Sequence, residues 1–212
     1  MQTQKVVRDI IFLVDGSDYV GGRNLPFIQS FISGIVNRLD VRPERARIGL
    51  MQYSDRPKTE FSLNTYESKQ DVLTAISQLR LMGGRTLNTG AALANALENN
   101  FQASAGSRRR SGVQQVLVLI TGGPSQDEVK RVADRLAVEG VLTFAVGAGQ
   151  ADERFLTTVA FVPQLAYYED RFDSLPNVID RIFTPLITVV GDTENVTPPP
   201  APPGKFCSCR IA

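Results

Sequence analysis

The chain has 212 residues, of which 42% are hydrophobic, and a formal net charge of +1. That size and apolar content suit one folded domain with a substantial core and exclude a disordered chain. The near-neutral charge gives no reason to expect nucleic acid or a membrane surface as partner, and no apolar run is long enough to span a bilayer.

The N-terminal MQTQKVVRD carries no apolar signal segment. Two readings therefore stay open: a cytosolic protein, or a module of a longer secreted chain. A strand is predicted over 10–14, ending abruptly in Asp15-Gly16-Ser17. Leu25, Ile28, Ile32, Ile35, Val36 and Leu39 then recur at helical spacing. The Gly21-Gly22 pair before them reads as a turn rather than a phosphate cradle. RIGLMQY (47–53) and the run 59–63 read as two strands, and the turn material of 54–57 between them predicts a hairpin. Val72, Ile76 and Leu79 share one face of a short helix, and Leu93, Ala94, Leu97 and Phe101 mark another that begins near Thr89.

VQQVLVLIT (113–121) is the most strand-like run, and its continuous apolar stretch predicts burial on both faces, as in a parallel sheet. Ser125 and Glu128 have capping-box spacing for the helix that carries Val129, Val132, Ala133, Leu136 and Ala137. A strand over 141–146, a short helix around Phe155, Leu156 and Val159, and an edge strand over 165–168 follow. Last comes a long amphipathic helix from Leu175 to Val190, which Pro185 should kink or truncate. This order predicts an α/β, doubly wound, Rossmann-like fold. Its sheet should be mostly parallel with one antiparallel edge strand, and helices should cover both faces. The expected organisation is an extension over 1–7, the folded domain over 8–191, and a proline-rich tail over 192–212 that carries Cys207 and Cys209.

Histidine is absent, which removes Ser-His-Asp and Cys-His catalysis and histidine-ligated zinc. Cys207 and Cys209 are too few for a structural zinc site. One intervening residue would strain a bridge between them, so pairing with another chain in an oxidising compartment is at least as plausible. Three loops should gather at the carboxyl edge of the sheet, where ligands of open α/β folds bind. They are Asp15-Gly16-Ser17-Asp18-Tyr19, Gly83-Gly84-Arg85-Thr86 and Thr121-Gly122-Gly123-Pro124-Ser125. Asp15 and Ser17 offer hard oxygen ligands for magnesium, calcium or manganese; the plainer alternative is that they form a turn or a helix cap.

These loops resemble those of the von Willebrand factor type A domain, and the resemblance covers about 9–190. Members carry a metal-ion-dependent adhesion site with the pattern Asp-x-Ser-x-Ser, a distant Thr, and a distant Asp in a Thr-Asp-Gly context. Asp15, Ser17 and Thr86 match as metal ligands. Tyr19 stands where the second serine belongs, and Gly122 where the distant aspartate belongs. The resemblance thus implies a degraded site with no firmly held cofactor and at most weak magnesium binding. Asp18 or Asp127 could compensate only if a loop swung inward. Without a cation, Asp15 and Ser17 would hold the loop through hydrogen bonds to main-chain amides.

Within the family, QVLVLITGGPSQDEV, FAVGAG and YYEDRFDSLPNV resemble the repeated modules of collagen VI. That likeness implies a secreted, non-enzymatic module of the extracellular matrix, serving adhesion and filament assembly. Its partners would be matrix proteins or neighbouring modules of the same chain, with no nucleic acid or membrane. The alternatives are an adhesion module with intact magnesium binding and a metal-dependent phosphohydrolase using Asp15. Arg108, Arg109 and Arg110 form a short basic run that reads as a solvated loop, with contact to glycosaminoglycan as the alternative. Asn195 begins an N-glycosylation pattern in the tail.

Overall fold

The computed structural model describes residues 6–191. Six strands form one sheet: β1 (Arg8–Asp15), β2 (Ala46–Tyr53), β3 (Pro57–Phe61), β4 (Gln114–Thr121), β5 (Val141–Ala148) and β6 (Ala166–Glu169). Their spatial order is β3-β2-β1-β4-β5-β6. All neighbouring pairs are parallel except β2 with β3, which is the antiparallel hairpin expected from the sequence. Every residue of β1 and β5 is buried. Such double-sided burial requires the continuous apolar runs that these strands carry.

The helices are α1 (Gly21–Asn37), α2 (Lys69–Ser77), α3 (Thr89–Asn95), α4 (Lys130–Val138), α5 (Glu153–Val159) and α6 (Ile179–Thr188). α1 packs against α2 and α6, while α4 packs against α3 and α5, so two helical layers enclose the sheet. α1 turns Leu25, Ile28, Phe31, Ile32, Ile35 and Val36 inward. Each fully buried Ile or Phe of this kind contributes about 1.5–3 kcal/mol through burial.

Four local expectations need correction. Gly21 and Gly22 are the first residues of α1 rather than a separate turn. Ser125 and Glu128 do not make a capping box, because the Ser125 hydroxyl turns to Asp127. Glu128 instead accepts the main-chain N–H of Arg131 at 3.1 Å. Pro185 does not truncate the last helix, which runs on to Thr188 with Ile182 and Leu186 buried. The segment before it, Phe172–Val178, is a 3-10 helix containing Pro176 rather than the first part of one long α-helix.

β1 lies at the centre, and the chain reverses its direction of travel across the sheet between β1 and β4. The pairing of Val14 with Ile120 sets the next residues, Asp15 and Thr121, side by side at the carboxyl edge. Such a topological switch point is where open α/β sheets form a crevice. Arg8 and Asp9 lie at the opposite end of β1. The three tail features, Asn195, Cys207 and Cys209, fall outside the described residues.

Candidate functional site

Asp15 is fully buried and its carboxylate accepts four hydrogen bonds. Oδ1 receives the N–H of Ser17 at 2.8 Å and the Ser17 hydroxyl at 2.6 Å. Oδ2 receives the N–H of Gly122 at 2.8 Å and the Thr121 hydroxyl at 3.2 Å. Burial pushes the Asp15 carboxyl above its ordinary range, and the donors from Ser17, Gly122 and Thr121 pull it partly back. The Ser17 hydroxyl oxygen in turn accepts the N–H of Tyr19 at 3.2 Å. The side chains of Asp15 and Ser17 thus brace the first loop and tie it to the third.

The second loop is laced to the first. The N–H of Gly83 donates to the Gly16 carbonyl, and the N–H of Asp18 donates to the Gly84 carbonyl, both at 2.8 Å. Gly84 N–H donates to Asp18 Oδ1 at 3.3 Å. Thr86 lies in this loop, half-buried, and its carbonyl accepts the Ser54 hydroxyl at 2.7 Å. The third loop joins through Gln126, whose N–H donates to the Leu87 carbonyl at 2.7 Å and whose side-chain amide donates to the Arg85 carbonyl at 3.2 Å. Asp15, Ser17, Thr86 and Gly122 therefore share one rim.

Neither Gly122 nor Gly123 has room for a side chain. A Cβ at Gly122 would lie 2.5 Å from Cζ of Phe172 and 3.2 Å from the Tyr19 carbonyl oxygen. A Cβ at Gly123 would fall within 2.6–2.9 Å of three atoms of the Tyr19 ring. The space that an acidic side chain at Gly122 would need is thus taken by the Phe172 ring and the Tyr19 main chain.

Asp18 and Asp127 are both engaged. Asp127 caps α3 from a distance, accepting the N–H groups of Gly90 at 2.7 Å and Ala91 at 2.8 Å. Beneath the rim, the buried Tyr53 hydroxyl shares a 3.0 Å hydrogen bond with Thr89. Burial and the neighbouring Asp15 charge hold the Tyr53 phenol far above its ordinary range. The sequence reading missed the parts played by Tyr53, Thr89, Asp127 and Phe172. Only the position of Tyr53 at a strand end hinted at one.

The basic run lies at the other pole. Arg108 grips the buried Asp9 with Nε and Nη2, at 2.9 and 2.7 Å from Oδ1, and its N–H meets Oδ2 at 2.6 Å. The same guanidinium donates to the carbonyls of Pro43, Arg8 and Arg45. Arg109 pairs with Glu139 at 2.7 Å, while Arg110 is exposed. Arg108 is therefore a part-buried strut tied to Asp9 rather than one member of a solvated run.

The von Willebrand factor type A domain description matches residues 9–181. The collagen alpha-1(XII) chain of Notophthalmus viridescens is 39% identical over 195 residues, which cover 92% of this chain and 20% of that protein. The collagen alpha-4(VI) chain of Mus musculus is 40% identical over 184 residues, 86% of this chain and 8% of that one. Matrilin-1 of Homo sapiens is 38% identical over 160 residues, 76% of this chain and 32% of that one. This chain thus spans no more than a third of any of these relatives.

Proximal thread matrix protein 1 from the mussel byssus superposes with a TM-score of 0.80 at 25% identity, covering 86% of this chain and 49% of the other. Another structure of that mussel protein, 24% identical, is described as having a zinc-occupied MIDAS motif. The type A resemblance and the extracellular-matrix setting expected from it are borne out by these collagens and matrilins. The narrower likeness to the repeated modules of collagen VI agrees with the alpha-4(VI) match.

Proposed function

Since this chain belongs to the von Willebrand factor type A domain family, we propose that it is a non-enzymatic interaction module of the extracellular matrix whose rim is held by hydrogen bonds rather than by a resident cation. Its partners are matrix proteins or neighbouring modules of its own chain. The observation that carries this is the Asp15 carboxylate, whose two oxygens accept two main-chain N–H groups and two hydroxyls.

The residues present fit a divalent cation poorly. An ion would have to draw the lone pairs of Asp15 away from the amides of Ser17 and Gly122. It would find one carboxylate where the complete pattern offers two. Magnesium gives up its water reluctantly, and one anionic ligand offsets little of that cost. The Phe172 ring and the Tyr19 main chain fill the space of the missing acid at Gly122. The zinc described for the mussel protein shows that the family's pattern can hold a metal; that protein, not this one, is the evidence for it.

Hydrolysis through Asp15 has equally little support. A nucleophile needs a free lone pair and a second acid or base beside it. Among the described residues, no group of three or more acidic, thiol or imidazole side chains is placed to hold a catalytic ion. Contact with sulfated polysaccharide is also weakly supported. Arg108 is committed to Asp9 and Arg109 to Glu139, which leaves Arg110 alone.

Solid-phase binding of the domain to fibrillar collagen and to an immobilised second copy, in EDTA and in magnesium, tests the proposal. Binding that persists in EDTA is expected. Binding abolished by EDTA and restored by magnesium would favour the metal-dependent alternative instead.

A further inference from the structure

The segment that follows α6 is held at the foot of the sheet. Arg8 opens β1 and Gln114 opens β4, and the two are partners across that parallel pair. Arg8 Nη1 donates to the Val189 carbonyl at 2.6 Å, and Gln114 Oε1 accepts the N–H of Gly191 at 3.0 Å. Two adjacent strand ends thus grip alternate residues of one departing segment. Gln114 is itself anchored, because its Nε2 donates to the carbonyls of Gly140 and Gln115, both at 2.9 Å. Arg8 is only 5% exposed, so its bond to Val189 is charge-assisted and sheltered from water. It also sets a cation against the C-terminal end of α6, where the helix dipole is negative. Val190, between the two gripped residues, is 66% exposed, so its own burial does not hold this point.

We propose that Arg8 and Gln114 form a clasp that carries tension applied between the two ends of the domain and shields the folded body from it. The sheet begins at Arg8 and α6 gives way to the departing segment at Val189, so the clasp joins the entry point directly to the exit point. β1 is paired on both sides along its length, which makes its end hard to peel. The exit is the weaker end. Without the clasp, a pull there would act on the last turn of α6 alone. Helix ends open locally at little cost, and peeling would strip Leu186, Ile182 and Ile179 from the core a turn at a time. With the clasp, the contacts to both strands must break before α6 feels the pull. The inference goes beyond the adhesive reading and does not depend on whether a cation binds the rim at the opposite edge of the sheet.

The test is constant-force stretching of single molecules of the full chain in two geometries. In the first, handles are attached at the two chain ends, with the clasp in the path of the force. In the second, they are attached at Ser30 on α1 and Arg131 on α4, exposed positions on the two helical layers, which leaves the clasp outside that path. Arg8→Gln should raise the rate of first opening by roughly tenfold or more in the first geometry, as expected for the loss of one charge-assisted bond. In the second geometry the rate should stay close to that of the wild type. Gln114→Ala keeps the buried guanidinium and should act in the same direction, and it carries the comparison alone if Arg8→Gln does not fold. Arg8→Lys retains a cation able to meet the Val189 carbonyl and should recover part of the resistance.

Equal acceleration in both geometries would report a general loss of stability and overturn the clasp. An opening rate between the chain ends that neither Arg8→Gln nor Gln114→Ala changes would overturn it as well.

Discussion

The N–H of Gly122 donates to Oδ2 of Asp15 at 2.8 Å, joining two loops 107 positions apart. The main chain at Gly122 thus serves as a donor to the buried carboxylate of Asp15. Asp15→Ala would strand the amides of Ser17 and Gly122 and two hydroxyls in a buried site. A loss of about 2–3 kcal/mol is expected in urea unfolding, because buried donors left without acceptors bear their full desolvation penalty. Adding magnesium or EDTA should not change the wild-type unfolding midpoint.

Restoring the missing acid should not restore a metal site. In Gly122→Asp, the new Cβ would meet the Phe172 ring at 2.5 Å. Overpacking of this kind costs about 1–3 kcal/mol. Gly122→Asp combined with Phe172→Ala should cost less than the sum of the two single changes, because the clash is absent once the ring is gone. A double-mutant cycle from thermal unfolding measures the coupling.

Arg108 and Asp9 form the structural counterweight at the opposite end of β1. Removing one member of a buried ion pair leaves an uncompensated charge, so Arg108→Ala should cost about 3–5 kcal/mol. Arg108→Lys should rescue little, since a single ammonium cannot reproduce the contacts to Asp9, Pro43, Arg8 and Arg45. Arg110→Ala, by contrast, should leave stability unchanged in the same unfolding assay.

Asp127 caps α3 through the amides of Gly90 and Ala91. Asp127→Ala should cost about 1 kcal/mol, the usual worth of a side-chain helix cap. Hydrogen exchange should quicken at those two amides and leave the central strands unaffected.

The strands and the helix faces were legible because their burial follows from period. The continuous apolar run of β4 and the helical spacing of α1 each have one packed solution in this fold. The rim was legible in position, since Asp15, Thr86 and Gly122 all follow or precede identifiable elements. Its inner wiring was not. Ser125 carries a local capping signal, yet Asp127 lies nearer to its hydroxyl and wins the bond. Phe172 reaches Gly122 from 50 positions away, and no local pattern encodes that contact. Arg108 looked like one of three solvated arginines because its partner, Asp9, is supplied by the first strand.

Isothermal titration of magnesium, then manganese, into the metal-free domain tests the central claim most directly. Hydrogen bonds to Asp15 in place of a cation predict no saturable, stoichiometric heat with either ion. One tightly bound equivalent, lost in Asp15→Asn, would contradict it.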